Sequence, residues 1–98
     1  MNMEKKQEGN ALTIKVSGRL DTVTSPQLDE ELKASIDGVE KLVMDLSDLE
    51  YISSAGLRVL LSAQKTMSKQ GEMEVTGVND VVMEIFEVTG FSEILTIK

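Results

Sequence analysis

The chain has 98 residues, of which 41% are apolar and 28% are charged, a balance that predicts one globular domain spanning residues 1–98. Its formal charge of −7 argues against binding nucleic acid or an anionic membrane through a basic surface. The absence of cysteine and histidine removes disulfides, thiolate chemistry and the usual general base, so we expect no enzyme. No apolar run is long enough to span a bilayer, and the polar N-terminus shows no secretory signal, so we expect a cytoplasmic protein.

The chain begins with two predicted strands. Residues 11–17 alternate apolar and polar side chains, as a half-buried strand does. Residues 3–7 can pair with them as a weaker, polar strand across a turn at residues 8–10. Residues 18–21 are expected to form a loop.

A helix and a buried strand are predicted next. Ser25 can cap the helix, Pro26 suits its first turn, and Gly38 is expected to end it. The run Leu42–Leu46 is almost continuously apolar. Such a run predicts a strand that is covered on both faces of its sheet.

The remaining elements continue the alternation of helix and strand. A second helix is predicted to begin at Ser53 or Ser54 and to end at Gly71. Residues 72–78 alternate again as a strand. Asn79 or Asp80 can cap a third helix that Gly90 ends, and residues 94–97 predict a last short strand or a further helical turn. This order, with its short links, predicts right-handed crossovers in a single α/β domain.

The most informative segment is Ser53-Ser54-Ala55-Gly56, where a strand-like stretch is followed by a helix. A helix N-terminus has unpaired N–H groups and a partial positive charge, so a serine there can cap the helix, join an anion site or accept a phosphate. One cap needs only one serine. Gly56 costs about 1 kcal/mol relative to alanine inside a helix, which indicates that a backbone or a partner approaches closely at this position.

Two catalytic interpretations of this segment are weak. The segment lacks the Gly-x-Ser-x-Gly pattern of a hydrolase, and no histidine is present to activate Ser54. Asp21, Asp45 and Asp48 can meet near Ser54, but they lack the spacing of a metal site and suit turn and cap positions at strand ends.

Four segments of the chain resemble the STAS domain, and most closely the small bacterial anti-sigma factor antagonists. They are residues 18–21, residues 42–49, the specific central stretch Tyr51–Leu57 and residues 86–91. In that family the phosphorylated serine or threonine directly follows an aspartate and stands two positions before the glycine. The resemblance therefore implies that Ser54 is the phosphate acceptor, with Ser53 in the place of the aspartate, and we expect Ser53 to cap the helix. The fold it implies is a single STAS domain with a mixed, mostly parallel sheet of four to five strands and helices packed against it.

The function that the resemblance implies is a partner switch. The unmodified antagonist binds an anti-sigma factor that is also a serine kinase of the histidine-kinase-like ATPase fold, and this binding releases the sigma factor. Phosphorylation of Ser54 reverses the binding, and a PP2C-type phosphatase restores it. ATP and Mg²⁺ belong to the kinase, so this chain needs no catalytic residue, cofactor or metal of its own. The expected partner face comprises Asp21, Thr22, Ser53, Ser54, Gly56 and Arg58.

Two other roles remain open on the sequence. One is a STAS subunit of a membrane-associated lipid transport complex, in which the same face docks on an ATPase subunit. The other is a structural scaffold whose second helix is merely capped by serine.

Overall fold

The computed structural model describes residues 1–98 as five strands and four helices. Their order is β1 (Asn2–Glu8), β2 (Ala11–Leu20), α1 (Ser25–Ser35), β3 (Lys41–Asp45), β4 (Leu49–Ile52), α2 (Ser54–Ser68), β5 (Glu72–Thr76), α3 (Asp80–Thr89) and α4 (Phe91–Ile94). The sheet has the order β1-β2-β3-β5, with β4 paired to the end of β2. Only β1 and β2 pair antiparallel, which confirms the predicted mixed, mostly parallel sheet. No helix combines the length and the apolar composition needed to cross a bilayer.

The sheet is covered on one face only. Along β3, Leu42 and Met44 are fully buried, whereas Val43 between them is half-buried on the other face. The prediction that this strand is covered on both faces is therefore wrong. The reason is that the helices and the sheet bury their apolar residues in a single core cluster. The opposite face carries ion pairs such as Lys41 Nζ to Glu74 Oε1 at 3.5 Å.

The strand β2 is longer than the sequence predicted, because it pairs with a strand that was not predicted. Residues 18–21 were expected to form a loop, but Gly18–Leu20 pair in parallel with β4, after an irregularity between Gly18 and Arg19. Gly18 has a φ of +87°, which glycine adopts without strain. A four-residue strand has almost no periodicity of its own and depends on its partner for stability.

Both ends of α3 lie where the sequence predicted them. Asn79 caps α3, because its side-chain Oδ1 accepts a hydrogen bond from the Val82 N–H at 2.8 Å. Its Nδ2 donates to the Leu49 carbonyl at 2.7 Å and so ties α3 to β4. Gly90, at a φ of +83°, ends the helix as predicted.

The last residues combine the two predicted alternatives. After the short helix α4, Ile97 forms a parallel bridge with Val75 of β5. The helices α1 and α2 end three residues before Gly38 and Gly71, which were predicted to end them. These differences change element boundaries, and β4 is the one element that the sequence did not predict.

Candidate functional site

The start of α2 lies beside the end of β2. The Ser53 N–H donates to the carbonyl of Leu20, the last residue of β2, at 2.8 Å, and the Ser53 carbonyl accepts from Leu57 at 3.0 Å. Ser54 is the first residue of α2, and it is exposed. Its side chain therefore lies at the surface, at the positive end of the helix dipole, where a negative group is stabilised.

Ser53 occupies the N-cap position of α2, but its hydroxyl does not cap the helix. The backbone of Ser53 is extended, and no side-chain hydrogen bond caps the first turn. The Oγ is buried and has no hydrogen-bond partner. The prediction that Ser53 caps the helix is thus correct for its position and wrong for its hydrogen bond, because the side chain is turned into the protein. Of the two serines, Ser54 is the exposed one.

Gly56 positions α2 close to the sheet. It is buried, and a Cβ at this position would lie 2.7 Å from Ile52 Cγ1 and 2.9 Å from Leu20 Cγ. The close approach that the sequence indicated is therefore made by the core of this chain. Gly56 offers little surface for direct contact with a partner, and it contributes to the site by letting α2 pack against β2 and β4.

The loop between β2 and α1 is organised by Asp21. Its Oδ1 accepts hydrogen bonds from the backbone N–H of Thr24 at 3.1 Å and of Val23 at 3.0 Å. The Asp21 N–H in turn donates to Thr24 Oγ1 at 2.9 Å. The bond from the Thr24 N–H is the main cause that lowers the pKa of Asp21 below its ordinary value of 3.8. The side chain therefore shapes the loop from which Thr22 projects into solvent.

A surface groove of about 300 Å³ lies between the beginnings of α1 and α2. It brings together two predicted site residues, Thr22 and Arg58, and it reaches Ala55, the neighbour of Ser54. We call it the α1–α2 groove. Asp21, Ser53, Ser54 and Gly56 do not line it themselves. The groove is also lined by Val59 of α2 and by Ser25, Pro26 and Asp29 of α1.

The sequence did not indicate that α1 contributes to this groove. Ser25 is only 2% exposed, and its Oγ has no hydrogen-bond partner. It was expected to cap α1, but the helix begins at Ser25 itself, and Thr24 holds the N-cap position without a side-chain bond. The Ser25-Pro26 pair marked a helix start in the sequence, whereas its place opposite α2 depends on how the two helices pack.

Arg58 is the free cation of the site. It is exposed and takes part in none of the ion pairs of the structure. The one carboxylate in the groove lining, Asp29, is paired with Lys33 at 2.9 Å. Because Arg58 follows Ser54 by four residues on the same helix, the two side chains lie on one helix face. The arginine is thus available to a negative group on Ser54.

The other two acidic residues near this edge of the sheet have local partners. Asp45 accepts a hydrogen bond from the Ser47 N–H at 3.0 Å, which lowers the pKa of its carboxyl. Asp48 pairs with Lys15 at 3.1 Å. These contacts agree with the turn interpretation of both residues.

Comparisons with known proteins agree on one family. The family model of the STAS domain matches residues 2–98. The chain is 39% identical to BtrV of Bordetella bronchiseptica, which is assigned as an anti-sigma factor antagonist, over 84% of this chain and 72% of BtrV. It is 32% identical to the anti-sigma-B factor antagonist of Listeria monocytogenes, over 96% of this chain and 84% of that protein. The crystal structure of an anti-sigma factor antagonist from Mycobacterium paratuberculosis matches with a TM-score of 0.89 and 25% identity, covering 98% of this chain and 83% of that one.

Proposed function

This chain belongs to the STAS domain family, and we propose that it acts as an anti-sigma factor antagonist that is switched by phosphorylation of Ser54. The unphosphorylated chain binds an anti-sigma factor that is also a serine kinase, and the sigma factor is released. The kinase, with its own ATP and Mg²⁺, phosphorylates Ser54 and breaks the complex, and a PP2C-type phosphatase restores it. The role makes this chain a ligand and a substrate rather than an enzyme, and it requires a cytoplasmic location.

The observation that supports this proposal best is the placement of Ser54. It is exposed at the first position of α2, beside the α1–α2 groove, and in register with the phosphate acceptor of the family. A phosphate adds about −1.5 to −2 charge. At a helix N-terminus an exposed negative charge is favourable by about 0.3–1 kcal/mol, so the fold tolerates the modification.

A docked partner does not tolerate the same modification. A surface that packs against the bare serine has no room for a phosphate, and it removes water from the added charge. The α1–α2 groove offers that partner a concave surface, to which Thr22 and Arg58 contribute the polar contacts. A phosphate on Ser54 therefore blocks docking while it leaves the domain folded.

Incubation with the cognate kinase and ATP tests the assignment. Fragmentation mass spectrometry is expected to find phosphate on Ser54, and Ser54→Ala is expected to abolish labelling. Ser53→Ala is the matched control and is expected to remain labelled, because the buried Ser53 hydroxyl is not presented to the kinase. Phosphate on Ser53 alone would reverse the assignment, and no phosphate on either serine would favour the lipid-transport or scaffold role.

Calorimetry with a charged variant tests the docking face. Ser54→Asp is expected to stay folded and to bind the anti-sigma factor more weakly than the wild type, since the partner has to desolvate the carboxylate. Ser68→Asp, at the exposed last position of α2 and about 21 Å along the helix from Ser54, is the control that adds the same charge away from the site. Equal affinities for the wild type and a folded Ser54→Asp would show that the partner docks elsewhere.

A further inference from the structure

The outer face of α3 carries an apolar row of which only the middle residue, Ile85, packs in part against the core. Val81 and Val88 are 56% and 81% exposed, and Ile85 between them is half-buried. Their spacing of four and three residues puts all three on one helix face. We call this row the α3 stripe. The two valines are among only four large apolar side chains that the chain exposes, and contiguous exposed apolar patches mark interaction sites.

The α3 stripe is not the face by which α3 packs against the core. The helix is anchored by two other residues, Val82 and Phe86, which are fully buried. The stripe lines a shallow depression of about 280 Å³, with Glu84 and Thr89 at its border. The Thr89 hydroxyl donates to the Ile85 carbonyl at 2.7 Å. It is therefore not free to donate a hydrogen bond to an occupant of the depression. An occupant of the depression therefore meets mainly apolar side chains.

Unpaired carboxylates occur on α3 and α4 near the α3 stripe, and one of them, Glu84, lines the depression. Asp80, Glu84 and Glu87 lie on α3 and Glu93 lies on α4, and none of them forms an ion pair. No lysine or arginine occurs anywhere in residues 70–97. The complement of this surface is an apolar row bordered by positive charge.

We propose that the α3 stripe docks an amphipathic helix of a partner protein, with apolar residues three and four positions apart and lysine or arginine beside them. A second copy of this chain is a poor occupant, because its like-charged carboxylates would face those of the first. The three side chains of the stripe also fall far short of the roughly 800 Å² per partner of a standard stable interface. An anionic membrane is repelled by the same carboxylates.

The α3 stripe is separate from the site around Ser54. The depression on α3 and the α1–α2 groove share no lining residue. A protein that binds α3 can therefore be held whether or not Ser54 is phosphorylated.

The test uses a synthetic amidated peptide of about four helical turns, with leucine on one face and lysine on the other. It is titrated into the isotope-labelled full chain, and amide shifts are followed by NMR. Shifts are expected at α3 and α4. The double variant Val81→Thr/Val88→Thr, which keeps the charge and the side-chain branching, is expected to lose about tenfold in affinity. Val43→Thr, the same exchange on the open face of the sheet, is the matched control and is expected to bind as the wild type does.

A second comparison tests the charge. Glu84→Gln/Glu87→Gln is expected to weaken binding and to flatten its salt dependence, and a peptide with glutamate in place of lysine is expected not to bind. Equal affinity of the valine double variant and the wild type, or shifts centred away from α3, would overturn the proposal. So would self-association through α3 in sedimentation, or binding to vesicles of phosphatidylcholine and phosphatidylglycerol without binding to the lysine peptide.

Discussion

One carboxylate holds the loop between β2 and α1 in its shape. Asp21 receives the N–H groups of Val23 and Thr24, and these bonds favour the ionised form of its side chain. Hydrogen bonds to a charged acceptor are roughly twice as strong as neutral ones. The position of Thr22, and with it one wall of the α1–α2 groove, thus depends on the charge of Asp21.

We expect Asp21→Asn to destabilise the fold in a pH-dependent way. The pKa of Asp21 is lower in the folded chain than its ordinary value of 3.8, so its contribution is fully present above that value. The contribution is lost as the pH falls through the lower, folded pKa. The difference in the free energy of unfolding between wild type and variant should be constant near neutral pH and shrink below pH 3.8. Urea denaturation at a series of pH values measures it.

The control for this prediction is Asp37→Asn. Asp37 is exposed and makes no side-chain hydrogen bond or ion pair, so its replacement should change stability little. A difference for Asp21→Asn that stays the same down to acid pH would mean that its charge does not support the loop.

Among the elements, the contact between α2 and the paired ends of β2 and β4 determines where Ser54 lies. The contact has no spare room, because Gly56 faces the buried side chains of Ile52 and Leu20. Alanine favours a helix over glycine by about 1 kcal/mol, whereas overpacking a core costs about 1–3 kcal/mol. The cost of overpacking the core is therefore larger than the gain in helix propensity at this position.

Gly56→Ala is accordingly expected to destabilise the protein, by up to about 2 kcal/mol. It should also slow phosphorylation of Ser54, since the first turn of α2 has to move away from β4. Chemical denaturation and the kinase assay measure the two effects. Ser62→Ala, an exposed position on the same helix, should be neutral or slightly stabilising. A stabilised Gly56→Ala would show that Leu20 and Ile52 give way without cost.

Arg58 is expected to matter after phosphorylation and not before. An exposed ion pair four residues apart on a helix contributes about 0.3–0.5 kcal/mol, and the greater charge of a phosphate on Ser54 strengthens it. Melting temperatures of wild type and Arg58→Gln, with and without phosphate, should show a larger gain on phosphorylation for wild type at low salt, and high salt should remove the difference. Equal shifts in both proteins at low salt would exclude Arg58 as the partner of the phosphate.

At the scale of the whole molecule, the protein is two-layered, with the helices contributing to one core and an ionised sheet face on the other side. Neighbouring residues of one strand therefore contribute very differently to the free energy of unfolding. Met44 is fully buried, whereas the side chain of Val43 faces the open layer.

Met44→Ala is expected to cost about 2–5 kcal/mol, the usual range for emptying a core position. Val43→Thr is expected to cost less than about 1 kcal/mol, as substitutions near the surface do. Urea denaturation of the two variants under the same conditions makes the comparison. Similar losses for both would indicate that the second face of the sheet is also covered in solution.

Local patterns were sufficient where an element's own residues determine its structure. The alternation of residues 11–17 correctly placed the core positions of β2, and Asn79 and Gly90 marked the two ends of α3. The start of α2 at Ser53 and Ser54 was readable for the same reason, because serine is favoured at the first positions of a helix. Caps and alternation depend on neighbours within a few residues, so the sequence displays them directly.

Tertiary structure decided the features that depend on contacts between distant segments. The strand β4 exists because it pairs with residues 18–20, some thirty positions earlier. An apolar run such as Leu42–Leu46 does not tell how many of its faces are covered. The hydroxyls of Ser25 and Ser53 were expected to cap helices and instead are buried without a hydrogen-bond partner. By itself the sequence determined the family, the order of the elements apart from β4, and the serine to examine. The packing of α1 against α2 determined the groove beside that serine, because side-chain direction at a helix start depends on what the rest of the chain places against it.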